Sequence, residues 1–303
     1  MDKEAVIAQL NGLFQHTLGE ARLLAITNQV PPLQQDARQP AYLPAPAEWP
    51  DPPLNDLHAI IPDWHYPCPQ LCYQEIDYKG ILWLRRQRQL GHQQPDQRGG
   101  PLLLSAATLP YCVESEALLL QHRSPRSATF PDSLHIIGGS LSPRQQERPL
   151  DRSLRDTALR ESREETGLTL ALPENSTVFL AIEYKTGCFQ AVFVPQPVTA
   201  HALTTRHTTW EGELLCIPFR QLDRLLLDTW HSFGYRLVPS CLLHLLAWLA
   251  SGGPGPSIRL GSQGVSAHAL YQTVMDALQQ QAAEQPEIFA AQFATTAVAP
   301  VLI

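Results

Sequence analysis

The chain has 303 residues, of which 44% are hydrophobic and 17% charged, so it can form a packed core and is not disordered as a whole. Its 22 basic and 29 acidic residues give a net charge of −7, which argues against nucleic-acid binding because that activity needs a basic surface. No apolar stretch reaches the roughly 18 residues of a membrane-spanning helix, so we expect neither a nucleic acid nor a membrane as partner.

The first hundred residues predict an N-terminal α+β subdomain, 1–100. Apolar residues at helical spacing predict an amphipathic helix over 4–26. The proline-dense stretch Pro31–Pro53 cannot form a regular helix or a central strand, and it predicts an extended connector. Two further strands are predicted within 72–90, separated by a turn at Lys79–Gly80.

From residue 101 onward, short apolar runs alternate with charged helical segments. The predicted strands are 102–107, 117–121, 178–183, 189–194 and 214–217. The predicted helices are 153–166, 219–229, 239–249 and 267–283. Gly167 ends the first of these helices, as glycine commonly does. We expect a central domain over 101–250 and a C-terminal helical extension over 251–303.

Six dispersed cysteines and a charged N-terminus without a signal peptide indicate a cytoplasmic location with reduced thiols. One local cluster combines His65, Cys68 and Cys72. It lacks a second pair of ligands, so structural thiols are favoured over a zinc site.

Three glutamates in the helix 153–166 carry the clearest chemical signal. Glu161 lies three residues before Glu164 and four before Glu165, so all three carboxylates can project from one side. Like charges at this spacing repel unless a cation lies between them, and Mg²⁺ prefers oxygen ligands. Arg160 can fix one carboxylate by pairing with it. The alternative is a solvated charged helix face, but the Gly138–Gly139 turn that follows a strand favours a metal and phosphate site.

The segment Arg160-Glu161-x-x-Glu164-Glu165-x-Gly167-Leu168 resembles the second half of the sequence box of the Nudix hydrolase family. Gly139 matches the glycine that opens the box, and Leu118–Arg123 is similar to the strand before it. Ser162 stands where the family usually has an apolar residue. The resemblance covers roughly 100–250. It implies an α/β fold, namely a Nudix-type α/β/α sandwich with a mixed sheet, here with an N-terminal α+β extension.

The first half of the box departs from the family, because the loop between Gly139 and Arg160 is about seven residues longer than usual. The upstream glutamate of the box is missing. Its position is occupied by Gln145 when counted forward from Gly139, and by Arg152 when counted back from Arg160. Two acidic residues of the insert are candidates to replace it. These are Glu147 and Asp151.

The resemblance implies attack of water on a phosphorus of a diphosphate, assisted by Mg²⁺ or alternatively Mn²⁺. The implied metal ligands are Glu161, Glu164 and Glu165. The implied catalytic residues are Glu164, Glu165 and Arg160, with Glu211 or Glu213 as the general base and Glu183 as a weaker candidate. Substrate-binding residues are expected among Arg123, Arg126, Gly138 and Gly139. Trp210 and Tyr184 could stack on a base, although aromatic residues next to strands are more often part of the core.

The expected substrate is a small-molecule nucleotide: a nucleoside diphosphate linked to another moiety. Two Nudix branches have similar loops, one acting on nucleotide sugars and one on coenzyme A. The loose similarity of 181–194 and 222–230 to the first branch favours a nucleotide sugar, with coenzyme A as the alternative. A hypothesis of another class is a catalytically degenerate Nudix-like module that binds nucleotides for regulation. Retention of all three helix carboxylates favours the enzyme. A homodimer is a further expectation.

Overall fold

A computed structural model describes residues 1–17, 21–36, 45–52, 56–62, 67–89, 101–127, 129–145, 148–184, 186–205, 208–291 and 293. The helices are α1 (Lys3–Thr17), α2 (Tyr78–Gln89), α3 (Leu154–Thr166), α4 (Leu222–Leu227), α5 (Thr229–Phe233), α6 (Pro239–Ala250), α7 (Ala267–Glu284) and α8 (Pro286–Ala291), with short 3₁₀ turns at Ala202–Thr205 and Phe219–Gln221. The strands are β1 (Ala21–Thr27), β2 (Leu33–Gln35), β3 (Leu57–Ile61), β4 (Leu71–Asp77), β5 (Leu102–Thr108), β6 (Tyr111–Cys112), β7 (Ala117–Arg123), β8 (Ser133–His135), β9 (Ile137–Ser140), β10 (Arg144–Gln145), β11 (Arg148–Pro149), β12 (Val178–Glu183), β13 (Cys188–Phe193), β14 (Gly212–Pro218) and β15 (Arg236–Leu237).

The main sheet is mixed and runs in the order β1-β12-β13-β5-β3-β4-β2, with β9 also paired to β5. Strands β13 and β5 are parallel, as are β2 and β4, and the other pairs are antiparallel. A second sheet has the order β14-β7-β8-β15, with β6 on β7. The insert between β9 and α3 forms a small hairpin from β10 and β11.

Alternation along the strands directs side chains into cores on the two faces of the main sheet. On β12, Phe179 and Ala181 join the core under α1, α6 and α7. Val178 and Leu180 join the opposite core, which Ala158 of α3 completes. The sheet thus lies between α3 and the α1–α6 layer, which confirms the expected α/β/α sandwich with a mixed sheet.

The N-terminal extension adds strands to this same sheet, through the β1–β12 and β3–β5 pairs. Strand β2, which directly follows Pro31 and Pro32, lies at the sheet edge, where a strand does not need every backbone donor. The domain boundaries at residues 100 and 250 stay a prediction. Within the described ranges, none of the helices combines the length and apolarity needed to cross a membrane. No two of the six cysteines, all of which are described, are joined in a disulfide, while His65 of the predicted cluster lies outside those ranges.

The prediction of one helix over 4–26 is wrong for residues 21–26, because residues 21–27 form β1, while residues 18–20 lie outside the described ranges. The Asn11 side chain donates to the Leu23 carbonyl and accepts from its N–H, both at 2.8 Å. These bonds satisfy the Leu23 backbone where the β1–β12 register shifts. Pairing with a distant strand therefore overrides the local helical spacing.

The prediction of a strand over Ile81–Leu84 is also wrong, because this segment lies in α2. The Asp77 carboxylate accepts a hydrogen bond from the Gly80 N–H at 2.8 Å, as a helix N-cap does. Ile81, Leu84 and Arg85 are buried at helical spacing. The Lys79–Gly80 pair thus lies in the first turn of α2 and is not a turn between two strands.

Candidate active site

Helix α3 carries the predicted glutamates and has a defined cap at each end. The Ser153 hydroxyl accepts from the Asp156 N–H at 3.1 Å, and Gly167 adopts a left-handed conformation with φ of 76°. These are favourable residues for helix caps. The caps fix where the helix begins and ends, and therefore which side chains face β5 and β9.

Arg160 is held by a buried ion pair with Asp151 of the insert. Its Nε and Nη2 atoms donate to the two carboxylate oxygens of Asp151 at 3.0 and 2.8 Å. The Asp151 side chain is only 2% exposed, and it also accepts from the Ser142 N–H and the Thr157 hydroxyl, each at 3.0 Å. Of the two residues predicted to replace the upstream glutamate, Asp151 thus contacts the arginine, whereas Glu147 lies outside the described ranges.

The remaining nitrogen of the Arg160 guanidinium, Nη1, contacts two of the glutamates. This atom lies 2.9 Å from oxygens of both Glu161 and Glu164, and Nη2 donates to the Ser140 carbonyl at 3.1 Å. The Glu164 side chain is 55% exposed, whereas that of Glu161 is mostly buried. Arg160 therefore ties the insert, β9 and the acidic side of α3 together.

The Gly138–Gly139 backbone lies directly against two of the helix carboxylates. The Gly138 N–H donates to Glu165 at 3.0 Å. A Cβ added to Gly139 would stand 2.5 Å from the Glu161 carboxylate, a distance that no real side chain tolerates. Glycine is therefore required at position 139 for Glu161 to occupy its present position.

Glu211, directly before β14, approaches the same group of carboxylates. Burial, hydrogen bonding to Glu211 and the charge of Glu161 raise the pKa of Glu165. Burial also raises the pKa of Glu161 to about 7, although Arg160 opposes the shift. Glu161, Glu165 and Glu211 thus lie close together, and the first two are largely shielded from water.

The other predicted site residues lie in different surroundings. Glu213 pairs with His122 at 3.4 Å, and Glu183 is buried against the Thr186 and Ser240 hydroxyls. Arg123, at the end of β7, donates to the Thr129 carbonyl at 3.0 Å, and its charge lowers the pKa of Glu165. Arg126 is exposed in the following turn. The structure therefore brings Glu211 and Arg123 towards the helix carboxylates, whereas Glu213 and Glu183 make other contacts and Arg126 is exposed.

The two aromatic candidates differ in their surroundings. The Trp210 side chain is 67% exposed and directly precedes Glu211, so it is not a core residue. Tyr184 is half-buried and packs against the apolar core under α3. The general expectation that such aromatics belong to the core therefore holds for Tyr184 and fails for Trp210.

A buried hydroxyl pair escaped the sequence prediction. Ser162 occupies the usually apolar position of the box, is fully buried, and lies 2.7 Å from the Thr108 hydroxyl on β5. Ser162 also donates to the Ala158 carbonyl at 2.8 Å. A polar residue at an apolar position of the motif was the signal that could have identified this contact between α3 and the sheet.

The donor set of this site fits a divalent metal ion. Glu161, Glu164 and Glu165 offer carboxylate oxygens, which Mg²⁺ and Mn²⁺ accept. The glycine pair leaves room for the Glu161 carboxylate beside the backbone, and added positive charge would offset the repulsion between Glu161 and Glu165. In their present rotamers, no three His, Cys, Asp or Glu side chains of the described ranges are grouped closely enough to hold a metal.

Comparison with known proteins gives structural matches only. No family model and no curated protein matches the sequence. Among solved structures, the chain is similar to a MutT protein from Methanosarcina mazei Go1, with 16% identity, coverage of 59% of this chain and 94% of that one, and a TM-score of 0.30. It is similar to a NUDIX hydrolase from Nitrosomonas europaea, with 16% identity, coverage of 50% and 90%, and a TM-score of 0.34.

A third match is a bifunctional NMN adenylyltransferase/ADP ribose pyrophosphatase from Francisella tularensis, with 13% identity and a TM-score of 0.38. The match covers 56% of this chain and 45% of that one, so this chain spans less than half of the bifunctional protein. Similarity at these levels carries no argument about activity, which has to come from the residues of the chain itself.

Proposed function

We propose that this protein is a Mg²⁺-dependent hydrolase that cleaves the diphosphate bond of a nucleoside diphosphate linked to another moiety. One observation carries the proposal. Glu161 and Glu165 of α3 meet Glu211 of a separate segment beside the Gly138–Gly139 backbone. A solvated helix face, the alternative interpretation, would have no reason to bury two glutamates against glycines and a third acidic residue.

In the proposed mechanism, Glu161, Glu164 and Glu165 would hold the metal, and Arg160 sets the rotamers of the first two. When bound, Mg²⁺ would supply positive charge that offsets the negative charge of the diphosphate. Glu211 accepts the proton of the attacking water, since it is the base candidate that lies beside Glu165. Arg123, whose charge reaches the same site, binds a substrate phosphate.

The proposed function is tested with nucleotide sugars, dinucleotides and coenzyme A as substrates, with and without Mg²⁺ or Mn²⁺. We expect metal-dependent cleavage of the diphosphate bond in at least one class, which releases a nucleoside monophosphate from a nucleotide sugar or a dinucleotide and adenosine 3′,5′-bisphosphate from coenzyme A. The class that reacts fastest also decides between the nucleotide-sugar and coenzyme A branches. Nucleotide binding without hydrolysis of any member would contradict the proposal.

A regulatory nucleotide-binding module is the second candidate function. One observation favours it: Arg160 engages Glu161 and Glu164, and within the described ranges the acidic side chains are not grouped as a metal site. Binding of a nucleotide with equal affinity in the presence of Mg²⁺ and of a chelator would support this candidate.

Gly139→Ala is expected to lower hydrolysis by about tenfold or more while leaving thermal stability almost unchanged. The added methyl group meets the flexible end of Glu161, which can turn away at little cost but is then displaced from the metal site. Gly12→Ala is the control, because nothing lies within 4 Å of a Cβ at that helix position. Full activity of the Gly139 variant would show that hydrolysis does not require Glu161 in its present position.

Trp210→Ala is expected to raise the KM for a nucleotide substrate about tenfold with little change in kcat, because base–aromatic stacking contributes about 1–3 kcal/mol. The main-chain carbonyl of the adjacent Glu211 accepts from the Ser124 N–H at 2.7 Å, so the segment carrying the exposed indole is anchored. Trp230→Ala is the matched control, since Trp230 is 47% exposed and lies against Arg236. Equal KM values for both variants would remove Trp210 from the binding site.

A further inference from the structure

The N-terminal extension and the insert are joined by an ion pair. Arg144 of β10 donates from Nε and Nη2 to one carboxylate oxygen of Glu75 on β4, at 3.0 and 2.8 Å. We infer that this ion pair, called the clamp below, is a positioning contact. Through it the N-terminal extension holds the insert in the position from which Asp151 orients Arg160. The inference rests on the proposed function, and it makes Glu75 and Arg144 positioning residues.

Contacts lead continuously from Arg144 to Asp151. Arg144 is the register partner of Pro149 across the β10–β11 hairpin. Beyond this pair the Leu150 N–H donates to the Pro143 carbonyl, and the Asp151 N–H donates to the Ser142 carbonyl, both at 3.0 Å. The two ends of the insert are therefore bonded to each other up to Asp151, so a shift of Arg144 would be passed on to Asp151.

The extension holds the insert at a second point on the same rung of the sheet. The Ala59 N–H of β3 donates to the Leu141 carbonyl at 3.0 Å, and Ala59 is the register partner of Glu75. The Glu75 carboxylate is itself held by Gln35 of β2 at 3.3 Å. Strand β3 of the extension thus binds the start of the insert through Leu141, and the neighbouring strand β4 binds its hairpin through Arg144.

The Glu75–Arg144 ion pair is partly exposed, so a positioning role and a structural role predict different effects of removing it on kcat and on global stability. The Arg144 side chain is 40% exposed and that of Glu75 is 19% exposed, and ion pairs at such exposure add little to global stability. A small displacement of a catalytic group, by contrast, can lower a rate by up to about 100-fold. Loss of the clamp should therefore lower kcat without unfolding the protein.

The test uses the full chain with Glu75→Gln, Arg144→Gln, both together, and the exchanged pair Glu75→Arg with Arg144→Glu. We expect each single variant to lower kcat about tenfold with a smaller change in KM. The double glutamine variant should be no worse than either single one, and the exchanged pair should recover kcat to within about threefold of wild type. Asp51→Asn is the control, because it breaks the Lys79–Asp51 ion pair of the same extension.

A second readout does not depend on activity. Amide hydrogen exchange over residues 140–151 should become faster in both single variants and stay unchanged in the Asp51 variant. Unchanged exchange, or single-variant losses that add up and are not recovered by the exchanged pair, would overturn the clamp. If the wild-type chain hydrolyses no substrate, the proposed function fails, and the exchange data alone decide whether the extension holds the insert.

Discussion

Glu165→Gln is expected to lower Mg²⁺-dependent hydrolysis by about 100-fold or more, the usual cost of losing one group that stabilises the charged transition state. Glutamine keeps the volume of glutamate, and its side-chain oxygen can still accept from the Gly138 N–H. The substitution thus removes a negative charge and a metal ligand while the local packing is kept. Steady-state rates with saturating Mg²⁺ measure the loss.

The same variant should be as stable as the wild type without metal, or more stable by a few tenths of a kcal/mol. Glu161 and Glu211 both repel a charge at position 165, and glutamine removes that repulsion. Glu174→Gln, at an exposed position after α3, is the control for the loss of one charge. Activity within about threefold of wild type would show that Glu165 is not a ligand of a catalytic metal.

Asp151→Asn is expected to lower the free energy of unfolding by about 3 kcal/mol, because removing one partner of a buried ion pair leaves the other charge uncompensated. An amide cannot accept from Arg160, Ser142 and Thr157 as the carboxylate does. Its NH₂ group would also face a donor. Hydrolysis should fall by at least about tenfold, since Arg160 would then lose its fixed orientation. Thermal unfolding and kcat together measure both effects.

Asp156→Asn makes the same chemical change one turn away and should have a much smaller effect. The Asp156 side chain accepts from the Arg152 N–H at 3.1 Å in the first turn of α3, where an acidic residue contributes less than about 1 kcal/mol. If the two variants unfold at the same temperature and keep similar rates, Asp151 is not the residue that replaces the missing upstream glutamate.

Local signals predicted α3 well, because a glycine stop and a spaced acidic face both lie within one segment. They failed for β1 and α2, where the outcome depends on a distant partner or on a short cap. Asn11 and β12 fix β1 from elsewhere in the chain, and a single aspartate, Asp77, begins α2.

In the candidate site, too, local spacing predicts some of the residues, while others depend on contacts with distant parts of the chain. The three helix glutamates follow from their spacing, but the choice between Glu211 and Glu213 does not, because residues two apart share a face of a regular strand. Gly212, with φ of 155°, lies so close to the His122 carbonyl that a Cβ would stand 2.1 Å from it. The chain leaves the regular strand there, so Glu213 turns to His122 while Glu211 reaches Glu165.

Titration with Mn²⁺, followed by the electron paramagnetic resonance of the unbound ion, tests most directly whether α3 holds a catalytic metal. Wild-type protein and the Glu174→Gln control should bind Mn²⁺ with equal affinity, and Glu165→Gln should bind it at least about tenfold more weakly. Equal binding by all three proteins, or binding by none of them in the presence of a nucleoside diphosphate, would contradict a metal site on this helix.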